Sequence, residues 1–307
     1  MAKLTNKQRS EEFNQMITDA LIKQIESGKT SWLKMWKSSS LQQQHNPITG
    51  TKYRGVNVFW LMLVSEIKGY SDSRWGTYNN IKKIGGQVTK GERGTKVLIW
   101  RPVYKKVNGK YTDQIEYLVN RYWTIFNYSQ CDGIEAQAPQ EPEFTNGLNE
   151  VAQAYIEGEE IEILMGGDRA CYSPMLDKIR MPNQSTFKSE TSFVSTLFHE
   201  IAHSTGAKNR LNREGVTNSI SFGNHDYSLE ELVAEMTAVM MTVKVGPMEI
   251  GDKCFNNSAA YMKHWISHLK DNPDWIATAT REASKAVELI TSHTKAAKAA
   301  KPVESAA

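Results

Sequence analysis

The pentapeptide His199-Glu200-Ile201-Ala202-His203 constrains this chain more than any other feature of it. Residues four apart lie one turn apart on the same helix face, so both imidazoles can turn toward one metal ion. Phe193, Val194, Leu197, Phe198, Ile201 and Ala202 supply an apolar face that buries such a helix, predicted over 192–204 and closed by Gly206, glycine being a common residue past a helix end. Glu200 reaches a water on the ion, whose pKa zinc lowers toward about 7, and takes its proton as the water attacks a carbonyl. That chemistry is peptide hydrolysis without a covalent intermediate. The alternative is two surface histidines on an amphipathic helix.

A catalytic zinc site takes three protein ligands and keeps a fourth position for water. Downstream candidates are His225, Asp226, Glu230, Glu231 and Glu235. Glu231 and Glu235 are again four apart on a predicted helix, 229–243. Glu231 is assigned to the metal and Glu235 to a ligand histidine's other nitrogen. Ser228-x-x-Glu231 also fits a capping box, in which Glu231 only closes the helix start. Zinc is the expected ion, and manganese also suits two histidines and a carboxylate. Tyr227, taken as a catalytic candidate, His225 and Arg210 are possible donors to an oxyanion. The segment 178–181, closed by Pro182, reads as an edge strand able to add an extended peptide.

Net charge +3 conceals a split. Residues 1–140 hold 21 Lys and Arg against 11 Asp and Glu, and the remainder 16 against 23. Two modules with different partners follow, the first meeting a polyanion. Six of the eight tryptophans fall in this basic half, with tyrosines and cations between them. Cations for phosphates and rings for bases are what single-strand binding requires, although any one tryptophan can equally be core.

The fold class read from the pattern is α+β: a basic α+β domain over 1–138, a linker over 139–147, a mostly helical domain with a small sheet over 148–294, and a disordered Ala/Lys-rich tail over 295–307. Helices are predicted over 10–26, 56–67, 148–155, 258–269 and 274–292. Strands are predicted over 97–104 and 121–128, with a hairpin-like Asn108-Gly109, and over 161–165. The polar N-terminus lacks an apolar leader core, and the longest apolar run, Val58 to Val64, is too short for a bilayer. Three dispersed cysteines form no C-x-x-C pair. A cytoplasmic protein with no membrane partner is expected.

Several ordered segments resemble the ArdC-type antirestriction proteins of conjugative plasmids and phages. They include Asn46-Pro-Ile-Thr-Gly, Tyr53-Arg-Gly-Val-Asn57, Arg74-Trp-Gly-Thr-Tyr78 and Gly85-Gly-Gln-Val, then Gly167-Asp-Arg-Ala, the His199–His203 helix with Thr205-Gly206, and Glu230-Glu-Leu-Val-Ala-Glu235. The resemblance implies an N-terminal domain that binds single-stranded DNA, a C-terminal zincin-like metallopeptidase domain, and protection of incoming DNA from restriction. It maps metal residues onto His199, His203 and Glu231. Candidate DNA contacts are Lys34, Trp36, Tyr53, Arg54, Asn57, Arg74, Trp75, Tyr78, Lys90, Arg93 and Lys96. The family's early Pro-Trp segment stands here as Ser31-Trp32-Leu-Lys-Met-Trp36, without the proline. A protein substrate is implied but not identified; a DNA-binding shield with a structural or vestigial metal site is the rival.

Overall fold

The structure, a computed structural model, describes residues 4–27, 43–137, 147–187, 190–217, 225–245 and 266–300. Helix α1 (Asn6–Glu26) starts at a capping box in which Thr5 accepts from the Gln8 amide and Gln8 caps Thr5 in return. Two short strands, β1 (His45–Asn46) and β2 (Thr51–Lys52), pair as a small hairpin before α2 (Gly55–Lys68). Residues 58–65 of α2 are all buried, and Gly69 ends it in the left-handed region (φ 71°). The strand β3 (Trp75–Gly76), helix α3 (Tyr78–Lys83) and strand β4 (Gln87–Val88) follow.

The long strands β5 (Thr95–Val107) and β6 (Lys110–Asn127) then form an antiparallel hairpin. Its turn is Asn108-Gly109, both at positive φ (51° and 81°), the geometry whose twist suits a two-residue hairpin. Strand β3 pairs with the last residues of β6, and β7 (Cys131–Asp132) pairs with β4.

The C-terminal half has helix α4 (Gly147–Gly158) and strands β8 (Glu162–Met165), β9 (Cys171–Ser173) and β10 (Lys178–Met181). Helices α5 (Glu190–Ser204), α6 (Glu214–Thr217), α7 (His225–Val245) and α8 (Trp275–Ala300) complete it. Strand β10 is central, parallel to β8 on one side and antiparallel to β9 on the other. The expected edge strand is therefore an interior one: Pro182 stands just past its end and removes no ladder donor. The free edge beside the metal helix belongs to β9.

The two expected domains share their packing. One apolar cluster joins Phe13, Ile17 and Leu21 of α1 to α2, to Leu232 and Met236 of α7, and to Trp275, Ile276 and Ala279 of α8. A second joins Tyr155, Ile179, Phe198, Ile201 and Met241 to Val287 and Ile290 of α8. Helix α8 thus runs through both cores. Asn14 donates to Asp274, and the Thr18 hydroxyl to the Pro273 carbonyl, tying α1 to the start of α8. Helix α8 also continues to Ala300, past the expected end at 292 and through the first six residues of the expected disordered tail; Ala and Lys are strong helix formers and extend a helix readily. The expected linker, apart from Gly147, and residues 258–265 and 301–307 lie outside the described residues.

A candidate metal centre and a candidate nucleic-acid interface

On α5, Val194, Leu197, Phe198, Ile201 and Ala202 are buried, and this anchoring turns His199 and His203 toward α7. Their rings stand edge to face, with the two Nε2 atoms 3.2 Å apart. Glu231 of α7 places its carboxylate oxygens 3.6 Å from His199 Nε2 and 3.5 Å from His203 Nε2. A tetrahedral ion with bonds of about 2.1 Å spaces its ligands roughly 3.4 Å apart, so the three donors fit a divalent ion. Helix α7 begins at His225, so Ser228 lies inside it and the capping-box reading of Glu231 does not apply.

The nitrogens facing away from the cluster are each met by a carboxylate. Glu235 Oε1 stands 3.7 Å from His199 Nδ1, near the nitrogen expected of it but beyond hydrogen-bond length. Glu230, one of the unassigned downstream carboxylates, lies 3.2 Å from His203 Nδ1. Arg213 holds Glu230 in turn, donating from Nε to Oε2 at 2.8 Å and from Nη2 to Oε1 at 2.6 Å. Arg213 also donates to the Ala202 carbonyl and the Thr205 hydroxyl, both at 2.7 Å, closing the end of α5.

Gly206 explains how Arg213 gets there. A Cβ at Gly206 would meet Val216 at 2.5 Å and the Arg213 guanidinium at 2.9 Å. Its φ is not among the positive ones. Close approach, rather than a left-handed backbone, requires glycine at this position past the helix end.

The electrostatics favour a cation. Burial alone lowers the His199 imidazole, but Glu231, Glu235 and Glu200 outweigh it and hold the ring up to about 10. Burial pushes the Glu235 carboxyl well up, against the pull of His199. Burial also raises Glu230, yet Arg213 and His203 override it and hold Glu230 below its usual range.

Glu200 is buried, and its Oε2 accepts the Tyr172 amide of β9 at 2.8 Å. The carboxylate between the histidines is thereby fixed by the sheet edge. Arg210 is not the free donor expected for an oxyanion: it bonds Glu159, both Asp177 oxygens and the Ser204 carbonyl. The side chains of His225 and Tyr227 lie outside the described residues.

In the basic half, burial divides the expected contacts. Trp75 is fully buried and donates its indole N–H to Gln44 at 2.6 Å. Tyr53 is buried too, and burial pushes its phenol up to about 12. The Asn57 amide bridges the Leu98 backbone at 2.8 and 3.1 Å, pinning α2 to β5. Arg74 is bound by Asp72 at 2.6 Å and lies over the Tyr128 ring. Tyr53 and Trp75 thus belong to the core, whereas Asn57 and Arg74 are half-buried and partnered within the fold. Arg54, Tyr78, Lys90, Arg93 and Lys96 are exposed. Lys34 and Trp36 lie outside the described residues. A cleft of about 570 Å³ gathers Lys68, Arg93 and Lys96 beside Met16, Trp60 and Tyr70.

Residues 11–130 match the N-terminal domain of anti-restriction factor ArdC, and residues 150–282 match a zincin-like metallopeptidase family. The crystal structure of the antirestriction ArdC protein from plasmid R388, metal-free, is similar at TM-score 0.72 and 33% identity, over 92% of this chain and 98% of that one. This chain belongs to the ArdC antirestriction family. The Mn(II)-bound structure of the R388 protein is similar at TM-score 0.70 and 34% identity, over 91% and 97% of the two chains. Two Escherichia coli proteins called DNA primase TraC are 32% and 31% identical to it, each over 91% of the chain. The chain spans only 20% and 27% of their lengths. An uncharacterized protein, y4eC, of Sinorhizobium fredii is 28% identical over 88% of both chains. No helix among the described residues is long and apolar enough to cross a membrane.

Proposed function

We propose that this ArdC-family chain binds single-stranded DNA through its N-terminal half and hydrolyses a protein substrate at a zinc or manganese centre in its C-terminal half, acting in the cytoplasm to protect incoming plasmid or phage DNA. The observation that carries the catalytic part is the cluster of His199, His203 and Glu231, whose donor atoms lie within 4.8 Å of one another, with a buried Glu200 on the histidines' helix turn held by the Tyr172 amide. His199, His203 and Glu231 would hold the ion. When bound, it supplies Lewis acidity and brings the pKa of water toward about 7.

The protein's own groups do the rest. The Tyr172 amide orients Glu200, which accepts the proton of the attacking water and can return it to the leaving amine. Glu230 fixes the His203 ring through its hydrogen bond to Nδ1, and Glu235 places a carboxylate 3.7 Å from His199 Nδ1. A purely structural ion has no use for Glu200. DNA binding is supported by the N-terminal family match and by the exposed cations around the Trp60–Tyr70 cleft.

Glu200→Gln tests the reading. It should lower metal-dependent hydrolysis of an unfolded protein by about 100-fold or more while leaving metal content and DNA affinity intact. A Glu200→Gln protein that protects transferred DNA as well as the wild type would make the chain a DNA-binding shield instead.

A further inference from the structure

The β5–β6 hairpin is far longer than the body beneath it. Strand β3 pairs with β6 at Phe126 and Asn127, and outward of these β5 and β6 have no strand partner but each other among the described residues. From Arg101 to Leu118 nearly every residue is exposed. A two-stranded ribbon is marginal in water and is usually polar when it projects. This one instead exposes Tyr111 at 74%, Ile115 at 58%, Tyr117 at 54% and Trp100 at 50%. Large exposed apolar surfaces of this kind mark interaction sites.

Charge selects the partner. Between Thr95 and Asn127 there are six Lys and Arg against two Asp and Glu. Cations and rings also interleave in space: Lys106 Nζ lies 5.4 Å over the Tyr111 ring, and the Arg101 guanidinium 4.2 Å over Trp123. Addition of a peptide strand along the outer edge of β5 is disfavoured, because Pro102 lacks a donor and Lys105 and Lys106 repel an incoming edge. Bases can stack on exposed rings only when they are unpaired, which favours a single strand over a duplex.

We infer that this arm is the element that grips single-stranded DNA, with Tyr111 and Tyr117 stacking on bases and Lys105, Lys106 and Lys110 meeting phosphates. The inference rests on the single-strand reading above and locates it. None of these residues was singled out as a contact from sequence, because nothing local to Tyr111 distinguishes an exposed ring from a core one.

The test uses the full chain, a labelled 20-nucleotide oligo-dT and an equal-length duplex, titrated at several salt concentrations. Tyr111→Ala/Tyr117→Ala should weaken oligo-dT binding about 10-fold or more, with Tyr111→Phe/Tyr117→Phe within about twofold of wild type. Lys105→Ala/Lys106→Ala should reduce the slope of log affinity against log salt by about 1.4. If the wild type binds and the double alanine variant binds equally, the arm is not the grip and the single-strand reading survives. If the wild type binds no oligonucleotide, that reading fails and the arm with it. If the alanine variant loses self-association by light scattering and keeps its DNA affinity, the arm is a contact between copies of the chain, which also overturns the inference.

Discussion

The helix pair α5 and α7 and the basic N-terminal half collect functional residue types by different logics. In the helix pair, one turn of spacing and one apolar face place two imidazoles and a carboxylate within 4.8 Å of one another. In the basic half, aromatic and cationic residues are scattered over a hundred positions, and only burial decides which of them meet solvent. Trp75 and Trp100 are the same residue type in the same module; one is fully buried and the other is half exposed. Local geometry identifies a metal site, whereas a binding surface emerges only once the core has claimed its share of rings.

The sharpest way to break this contrast is at Glu230. Its pair with Arg213 is buried on both sides, with side-chain exposures of 5% and 6%. Glu230→Ala strands the guanidinium, and a destabilisation of about 3–5 kcal/mol is expected. Metal affinity should fall by roughly 10- to 100-fold as His203 loses its support. The sign with pH follows from the lowered Glu230 carboxyl. Its stabilisation is present above the ordinary carboxylate pKa and is lost as pH falls through the folded-state value. Acid unfolding of the wild type should therefore show a component that the variant lacks, measured as stability against pH by denaturant titration. An unchanged melting temperature and metal affinity would remove Glu230 from the centre.

The second comparison sets Trp75→Ala against Tyr78→Ala. Trp75→Ala should cost about 3–5 kcal/mol as a core truncation. Any loss of DNA affinity there should track unfolding in a thermal melt. Tyr78→Ala, at an exposed ring (44%), should leave the melt within about 1 °C. Equal stability for the two would mean that Trp75 is not a core residue. The smallest effect is expected for Lys90→Ala/Arg93→Ala. Each exposed cation that meets a phosphate contributes about 0.7 to the salt slope, so the pair should lower it by about 1.4 with no change in melting temperature. An unchanged slope would place the phosphates elsewhere.

What could be read from sequence follows the same division. The helix of His199 and His203 was legible because four-residue spacing and an apolar flank are local facts. The Glu231 assignment needed the helix start as well, and only a start at His225 separates a ligand from a cap. Glu230 and Arg213 meet across 17 positions, through a close approach that Gly206 permits. No spacing rule signals that contact. The interior place of β10 depends on parallel pairing with β8, a long-range choice that a nearby proline misrepresents. Likewise the shared core along α8 is invisible to a charge count, which divides the chain into two modules that the packing joins.

The most direct test of the account is to locate the ion. Crystals of the full chain grown with Mn(II) or Zn(II) should give one strong anomalous peak bonded to His199 Nε2, His203 Nε2 and a Glu231 oxygen, with Glu235 and Glu230 against the opposite ring nitrogens. A peak bonded to Glu230 or Glu235 in place of Glu231, or no peak at this cluster with the metal in excess, would contradict it.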